Sequence, residues 1–332
     1  MAVTEQEFFA RMAGADFRPQ GRFHRWVFPA MGTTNEAVFA AASPSRASAF
    51  RDAAARWLAA FEARYSVFRP GSLVDRINAA AGGEPVGVTP DDDALFALCD
   101  YFYWRTNGVL DPTVGPLIEL WDFRRRPAAP PPAEAVAEAR ARVGWPLVER
   151  GAGSIRLPRL GMRVDLGGFG KEFAVDRIAA LAESHGIRDY LFSFGRDIRV
   201  RGSAPEGGAW RIGLERPDSP EGCWNGVALT GGAIACSGDY QRFFEAGNRR
   251  YGHIIDPRTG VPVQNGTRAA WVLAPTCTEA GALSTAAVIL GPVDGLAAIE
   301  AAHHASGCLW TDQGVYQDRR FSHYEQKRAA IG

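Results

Sequence analysis

Four stretches of this 332-residue chain carry residue types that could do chemistry. The first is Tyr251-Gly-His-Ile-Ile-Asp-Pro-Arg-Thr-Gly260. Histidine changes charge near neutral pH, so His253 is a candidate general base. The β-branched pair Ile254-Ile255 predicts the end of a buried strand, which puts His253 on a strand just before a turn. Asp256 to Gly260 supplies that turn: Asp caps it, Pro fixes φ and Gly takes positive φ. A strand histidine bonded to a backbone group fits the same residues. The second stretch is Gly167-Gly168-Phe169-Gly170-Lys171, set between a predicted strand (Met162 to Leu166) and a predicted helix (Lys171 to His185). Free amides at a helix start favour an anion, and Lys171 adds a cation. The spacing is neither a Walker A loop, since Glu172 stands where Ser or Thr belongs, nor GxGxxG. Glycines kept for steric reasons explain the same turn. Third, Gly281 and Thr285 fall one helical turn apart with Ser284 alongside, a spacing that suits oxygen ligands of Mg²⁺ and equally a small-residue helix packed on a sheet. Fourth, Ser237-Gly-Asp-Tyr240 offers a hydroxyl and a carboxylate, without the GxSxG elbow of a serine hydrolase.

These residues need a frame. Trp26-Val-Phe28 and Ala37-Val-Phe39 read as strands around Met31-Gly-Thr-Thr-Asn35, where a glycine marks a bulge or a close approach to a ligand. Ser45 to Tyr65 is helical, with Phe50, Ala54, Trp57, Leu58 and Phe61 on one face. Ser72 caps a further helix, with Asp75 three residues on. Thr89-Pro-Asp-Asp-Asp93 opens another, which stops at Asn107-Gly108. Val109 to Pro116 is a compact loop, Pro127 to Pro132 a spacer and Ala133 to Val143 a helix. Strands follow over Asp189 to Val200, Ala209 to Glu215 and Val227 to Tyr240, the last broken by glycine. Thr276-Cys-Thr-Glu279 reads as a capping box opening a helix through Leu290. A hairpin of Cys308-Leu-Trp and Gly314-Val-Tyr ends the pattern.

Composition narrows the class. Lys+Arg and Asp+Glu balance at 37 each, which argues against a nucleic-acid partner; the Arg124 to Arg126 run reads as a solvated loop. Hydrophobic residues make up 46% of the chain, enough for a large core, yet no stretch is long enough to span a bilayer. The five cysteines are scattered and form no CxxC pair, so neither a zinc site nor a disulfide framework is expected. Residues 1–23 read as an arm with one short amphipathic helix. Its early acids do not resemble a signal peptide, so a cytoplasmic location is expected.

Taken together, the motifs resemble one family. Met31-Gly-Thr33, Ser66 to Asn78, Leu110-Asp-Pro-Thr-Val-Gly-Pro-Leu117 with Leu120-Trp121, Asp165 to Lys171 with Ala174-Val-Asp176, Ser237 to Tyr240, His253 to Gly260 and Ala282-Leu-Ser-Thr-Ala286 occur in the order found in the ApbE family of FAD:protein FMN transferases. The resemblance runs from about Trp26 to the C-terminus. It implies an α+β fold with mixed and antiparallel sheets, flanking helices and FAD in a cleft between two lobes, so that residues 24–332 form one domain. It implies Mg²⁺-dependent cleavage of the FAD pyrophosphate, transfer of FMN to a Thr or Ser of an acceptor flavoprotein domain, and release of AMP. It also implies the roles of residues. His253, Lys171 and Asp165 would be catalytic. Met31, Gly32, Thr33, Phe68, Ser72, Asp111, Thr113, Gly167, Gly168, Glu215, Ser237, Asp239 and Asp256 would join Lys171 and His253 at the flavin nucleotide. Gly170 and Thr285 would hold the metal.

The chain departs from the family's pattern in three places. Gly281 stands where the family usually has a metal-binding Asp, Gly195-Arg-Asp197 where it often has Gly-Gly-Asp, and Cys236-Ser-Gly-Asp239 where it often has Thr-Ser-Gly-Asp. Glu279 does not replace the lost carboxylate, because two residues back on a helix points about 200° away. An active transferase with a rearranged metal site is one reading; a weakly catalytic FAD carrier or regulator, or an FAD pyrophosphatase, is the other. On sequence alone, Gly281→Asp is expected to restore a ligand one turn before Thr285 and tighten Mg²⁺.

Overall fold

The computed structural model describes residues 4–326 except 126, 152, 220, 221, 241 and 248. Its first half runs α1 (Glu5–Ala13), β1 (Asp16–Gln20), β2 (Phe23–Ala30), β3 (Thr33–Ala40), α2 (Pro44–Tyr65), α3 (Leu73–Ala79), β4 (Val86–Gly87), α4 (Pro90–Arg105), α5 (Gly115–Trp121), α6 (Ala133–Arg140), β5 (Glu149–Gly151) and β6 (Ser154–Arg156). The second half runs α7 (Gly170–Ser184), β7 (Tyr190–Phe194), β8 (Asp197–Arg201), β9 (Trp210–Glu215), β10 (Cys223–Leu229), β11 (Gly231–Gly238), β12 (Phe243–Ala246), β13 (Arg249–Gly252), β14 (Ile255–Asp256), β15 (Val261–Pro262), β16 (Thr267–Ala274), α8 (Cys277–Leu290), α9 (Pro292–Glu300), β17 (Ser306–Thr311) and β18 (Gly314–Gln317). The expected α+β class is observed. Among the described residues, no helix is long and apolar enough to cross a membrane.

One antiparallel sheet dominates, in the order β1-β2-β3-β7-β8-β11-β16-β17-β18. Side chains alternate across a strand, so the inner strands feed two cores. Tyr190, Phe192, Ala235, Ala270 and Val272 join α2, α7 and α8 on one face. Ile234, Trp271, Leu273 and Cys308 pack on the other face, under the β9–β10 hairpin with Trp210, Ile212 and Val227. A third core, formed by Leu117, Trp121, Val136, Ala139, Phe244 and Ile255, joins α5 and α6 to the short strands around His253.

The N-terminal segment differs from the expected arm. Helix α1 forms, but Asp16–Gln20 is an edge strand paired in full with β2, and Trp26 Nε1 donates to the Met12 carbonyl at 3.1 Å. Alternation in Phe17 and its neighbours was too short to show this strand. Arg126 of the expected arginine loop lies outside the described residues, as do residues 1–3. The segment Val227 to Tyr240 is two strands of different sheets, β10 and β11, parted at Thr230. Met31 and Gly32 are the two turn residues of the β2–β3 hairpin, with φ of 54° and 71°, so the glycine serves a hairpin turn and not a bulge.

Met162 to Leu166 joins no sheet; its one strand-like pairing is an isolated parallel bridge from Arg163 to Val114. The side chain of Asn78 takes the place of a neighbouring strand: its Nδ2 donates to the Val164 carbonyl at 3.0 Å, and its Oδ1 accepts from the Val164 amide at 2.7 Å. The Asp165 amide then donates to the Pro112 carbonyl at 2.8 Å. Both groups of Val164 are thus satisfied by one buried side chain. Asn78→Ala strips both and is expected to cost about 2 kcal/mol or more, read as a lowered urea midpoint. A change within about 0.5 kcal/mol would show that Asn78 does not hold this segment.

Candidate active site

The glycine turn is shaped by what cannot fit. The Gly167 amide donates to Asp165 Oδ1 at 2.6 Å, and a Cβ at Gly167 would lie 2.7 Å from that oxygen. A Cβ at Gly168 would press on Leu110 at 3.1 Å. Burial raises the Asp165 carboxyl above the usual range, against the Gly167 amide and the charges of Arg124 and Arg163. The turn delivers the chain into α7 at Gly170, and no side chain among the described residues caps that start. Lys171 follows in the first turn. Its ammonium pairs with Asp197 and lies 3.2 Å from Glu172 Oε1.

Asp197 begins β8, just after the Gly195–Arg196 turn whose φ values are 57° and 85°. It also accepts from the Cys236 amide at 3.4 Å, which brings β11 to the cluster. Burial pushes the Cys236 thiol up to about 12, so it is no nucleophile. Next along β11, the Ser237 hydroxyl meets Ser284 at 2.8 Å and Thr285 at 2.9 Å, both on α8. Asp239 accepts from Arg268 Nη1 at 3.0 Å, and its other oxygen is buried without a partner among the described residues. Burial raises its carboxyl. A Cβ on Gly252 would lie 2.6 Å from the Asp239 Cβ, so the backbone before His253 rests directly on Asp239.

His253 sits in the bend between β13 and β14, not on a strand. Its amide donates to the Arg242 carbonyl at 2.9 Å, and its Nδ1 is buried with no partner among the described residues. Burial first, then the Arg242 charge, lowers the imidazole to about 4, so the ring is neutral at pH 7. The turn after it forms as expected. Gly260 has φ of 78°, and its amide donates to the Asp256 carbonyl at 2.8 Å. Trp121 Nε1 holds the Gly260 carbonyl at 2.9 Å.

The other anticipated residues divide into two groups. Thr33 lies beside Gly195, and with Ser193 and Arg196 it lines a cavity of about 370 Å³ next to the Met31–Gly32 turn. Glu215 pairs with Arg196 at 2.7 Å, and Phe68 is an exposed ring with the Arg124 guanidinium 3.5 Å from its centroid. By contrast, Ser72, Asp111, Thr113 and Asp256 spend their side chains on the fold. Ser72 accepts from the Asp75 amide at 3.0 Å as a helix cap. Asp111 Oδ1 accepts from the Thr113 hydroxyl at 2.6 Å and its Oδ2 from the Trp145 amide at 3.1 Å, while Thr113 also accepts from Gly144. Asp256 pairs with Arg258 at 2.8 Å. Sequence reasoning missed Glu172, Arg196 and Asn78 as positioning groups. An acid inside the glycine-turn motif was the one available signal. The expected capping box on α8 is half formed: Thr276 accepts from the Glu279 amide at 3.2 Å, but the Glu279 carboxylate turns to His304 Nε2 at 2.7 Å.

Lys171 is thus tied through Asp197 to the Cys236 amide of β11, where the next residue, Ser237, gathers the hydroxyls of α8; a cation in the first turn of a helix close to such a cluster is the kind of setting that receives an anion. Residues 31–310 match the ApbE family, and the chain belongs to that family. It is 32% identical over 269 residues to the FAD:protein FMN transferase of Klebsiella pneumoniae, covering 79% of this chain and 77% of that protein. It is 35% identical over 241 residues to the protein of that name from Vibrio cholerae, covering 71% and 72%. Among solved structures, the ApbE protein of Thermotoga maritima superposes with a TM-score of 0.83 at 27% identity, covering 92% of this chain and all of that one. The flavin transferase ApbE of Vibrio cholerae gives 0.80 at 30% identity, over 90% and 98%.

The His253 shift has a consequence for stability. Unfolded, the ring titrates near 6.5; folded, near 4. The stability it contributes is complete above pH 6.5 and falls as pH drops toward 4, because the unfolded chain takes up the proton first. Between pH 7 and 4.5 the wild type should lose on the order of 2 kcal/mol more than His253→Gln. Urea unfolding at the two pH values reads this. Equal losses in the two proteins would place the His253 pKa near its ordinary value.

Proposed function

We propose that this chain is an FAD:protein FMN transferase whose catalytic centre is the junction of α7, β11, α8 and the His253 bend. One observation carries the reading: Lys171, in the first turn of α7, pairs with Asp197, and Asp197 accepts from the Cys236 amide, next to the Ser237 hydroxyl that meets Ser284 and Thr285. Phosphoryl transfer needs positioning and charge neutralisation above all. Lys171 would receive the FAD pyrophosphate, with the amides that follow Gly170 in the first turn of α7, the Gly170 amide being held by the Leu166 carbonyl at 2.7 Å. Phe68, Thr33 and the Arg196–Glu215 pair would bind the remainder of the nucleotide.

In the reaction the acceptor Thr or Ser oxygen bonds to the FMN phosphorus. The pyrophosphate P–O bond breaks, and AMP leaves with the bridging oxygen. The hydroxyl proton passes to His253, which is neutral at pH 7 and able to take it. A divalent cation such as Mg²⁺ fits the donor set, since the Thr285 hydroxyl, the Gly170 carbonyl and a carboxylate oxygen of Glu172 that has no partner among the described residues are hard oxygen donors. Bound there, it would supply further neutralisation of pyrophosphate charge.

The test is incubation with FAD, Mg²⁺ and an acceptor flavoprotein domain. The expected result is AMP in solution and covalent flavin fluorescence on the acceptor. His253→Ala should lower transfer by about 100-fold or more and leave FAD affinity within about threefold. Full transfer by that variant would remove His253 from the reaction.

A further inference from the structure

Gly281 deprives α8 of a carboxylate, and the structure shows what lies in its place. A Cβ built on Gly281 would stand 2.5 Å from Cγ, 3.0 Å from Cδ and 3.3 Å from Cβ of Glu172. The Glu172 side chain, rooted on α7, therefore occupies the space into which a residue at 281 would project. Glu172 is 7% exposed. Its Oε1 meets Lys171 at 3.2 Å, while its Oε2 is buried with no partner among the described residues. Leaving a buried carboxylate oxygen without a donor is costly, and a cation removes that cost.

We propose that Glu172 is the carboxylate ligand of the divalent cation, the ligand having moved from α8 to α7. This rests on the transferase reading above. Gly281 and Thr285 share one face of α8, so a carboxylate reaching Gly281 delivers its oxygen to the face that carries the Thr285 hydroxyl. Lys171 does not need Glu172 for its charge, because Asp197 already pairs with it. Glu279, the nearest acid on α8, is held by His304. Among the described residues, no three acidic, histidine or cysteine side chains converge as a cage. That suits Mg²⁺, which keeps waters and takes substrate phosphates beside one or two carboxylates. Gly281 then has a positive purpose: it leaves room for Glu172. The same contacts argue against the expectation that Gly281→Asp tightens the metal, since a side chain at 281 forces Glu172 to shift.

Mn²⁺ is the probe. Its affinity is read by electron paramagnetic resonance on the FAD-bound protein, with FAD affinity and Tm measured on the same samples. Glu172→Gln keeps the shape and loses the charge, and should weaken Mn²⁺ at least tenfold with FAD affinity retained. The exchange Glu172→Gly with Gly281→Asp returns the carboxylate to α8 and should recover Mn²⁺ affinity to within about threefold of wild type. Gly281→Asp alone should lower Tm without tightening Mn²⁺. Unchanged Mn²⁺ affinity in Glu172→Gln, or no recovery in the exchange variant, overturns the assignment; a purely structural Glu172 would move Tm alone. Failure of the wild type to bind FAD would instead strike the transferase reading.

Discussion

The ion pair between Lys171 and Asp197 is the constraint on which the site depends. Lys171 sits in the first turn of α7, where the helix dipole disfavours a cation. Asp197 is 3% exposed and would be a costly buried charge alone. Each makes the other tolerable, and removing one partner of such a pair costs about 3–5 kcal/mol. The pair ties the start of α7 to the first residue of β8, and the Cys236 amide on Asp197 extends the tie to β11. The glycine turn, Lys171 and Glu172 are thereby held against the sheet at one place.

From that point the arrangement spreads through small residues. Helix α8 is buried along nearly its whole length, and Ala280, Gly281, Ala282, Ser284, Ala286 and Ala287 let it lie close to β11, β16 and α7. Close approach lets one serine hydroxyl reach two hydroxyls across the gap. It also leaves a volume at Gly281 that a side chain from the neighbouring helix fills. At the far end of β11, Gly238 and Gly252 let the Asp239 loop seat the bend that carries His253; a Cβ on Gly238 would lie 2.6 Å from the Arg268 carbonyl.

Much of the frame was legible because local signals agreed with tertiary packing. The caps at Ser72 and Thr89, the helix stop at Asn107-Gly108 and the Asp256–Gly260 turn all form where residue chemistry placed them. Met162 to Leu166 misled because a backbone bonded to a side chain leaves the same apolar pattern as a strand in a sheet. Strand β1 was missed because an edge strand with Pro19 and alternating charges carries little hydrophobic signal. In the site, Lys171, Ser237, Thr285 and His253 could be singled out by type and spacing. Glu172 could not, because its meaning depends on which residue of a distant helix lies opposite it. A motif read along the chain records the loss at position 281 and is blind to the gain across the helix pair.

The most direct test of the account is a crystal structure of the FAD complex soaked with Mn²⁺, with data collected at the manganese absorption edge. The expected result is one anomalous peak bonded to Glu172 Oε2 and to the Thr285 hydroxyl at about 2.2 Å, with Lys171 still on Asp197. A peak that leaves Glu172 bound to Lys171 alone, or that draws its carboxylate from another residue, would contradict the account.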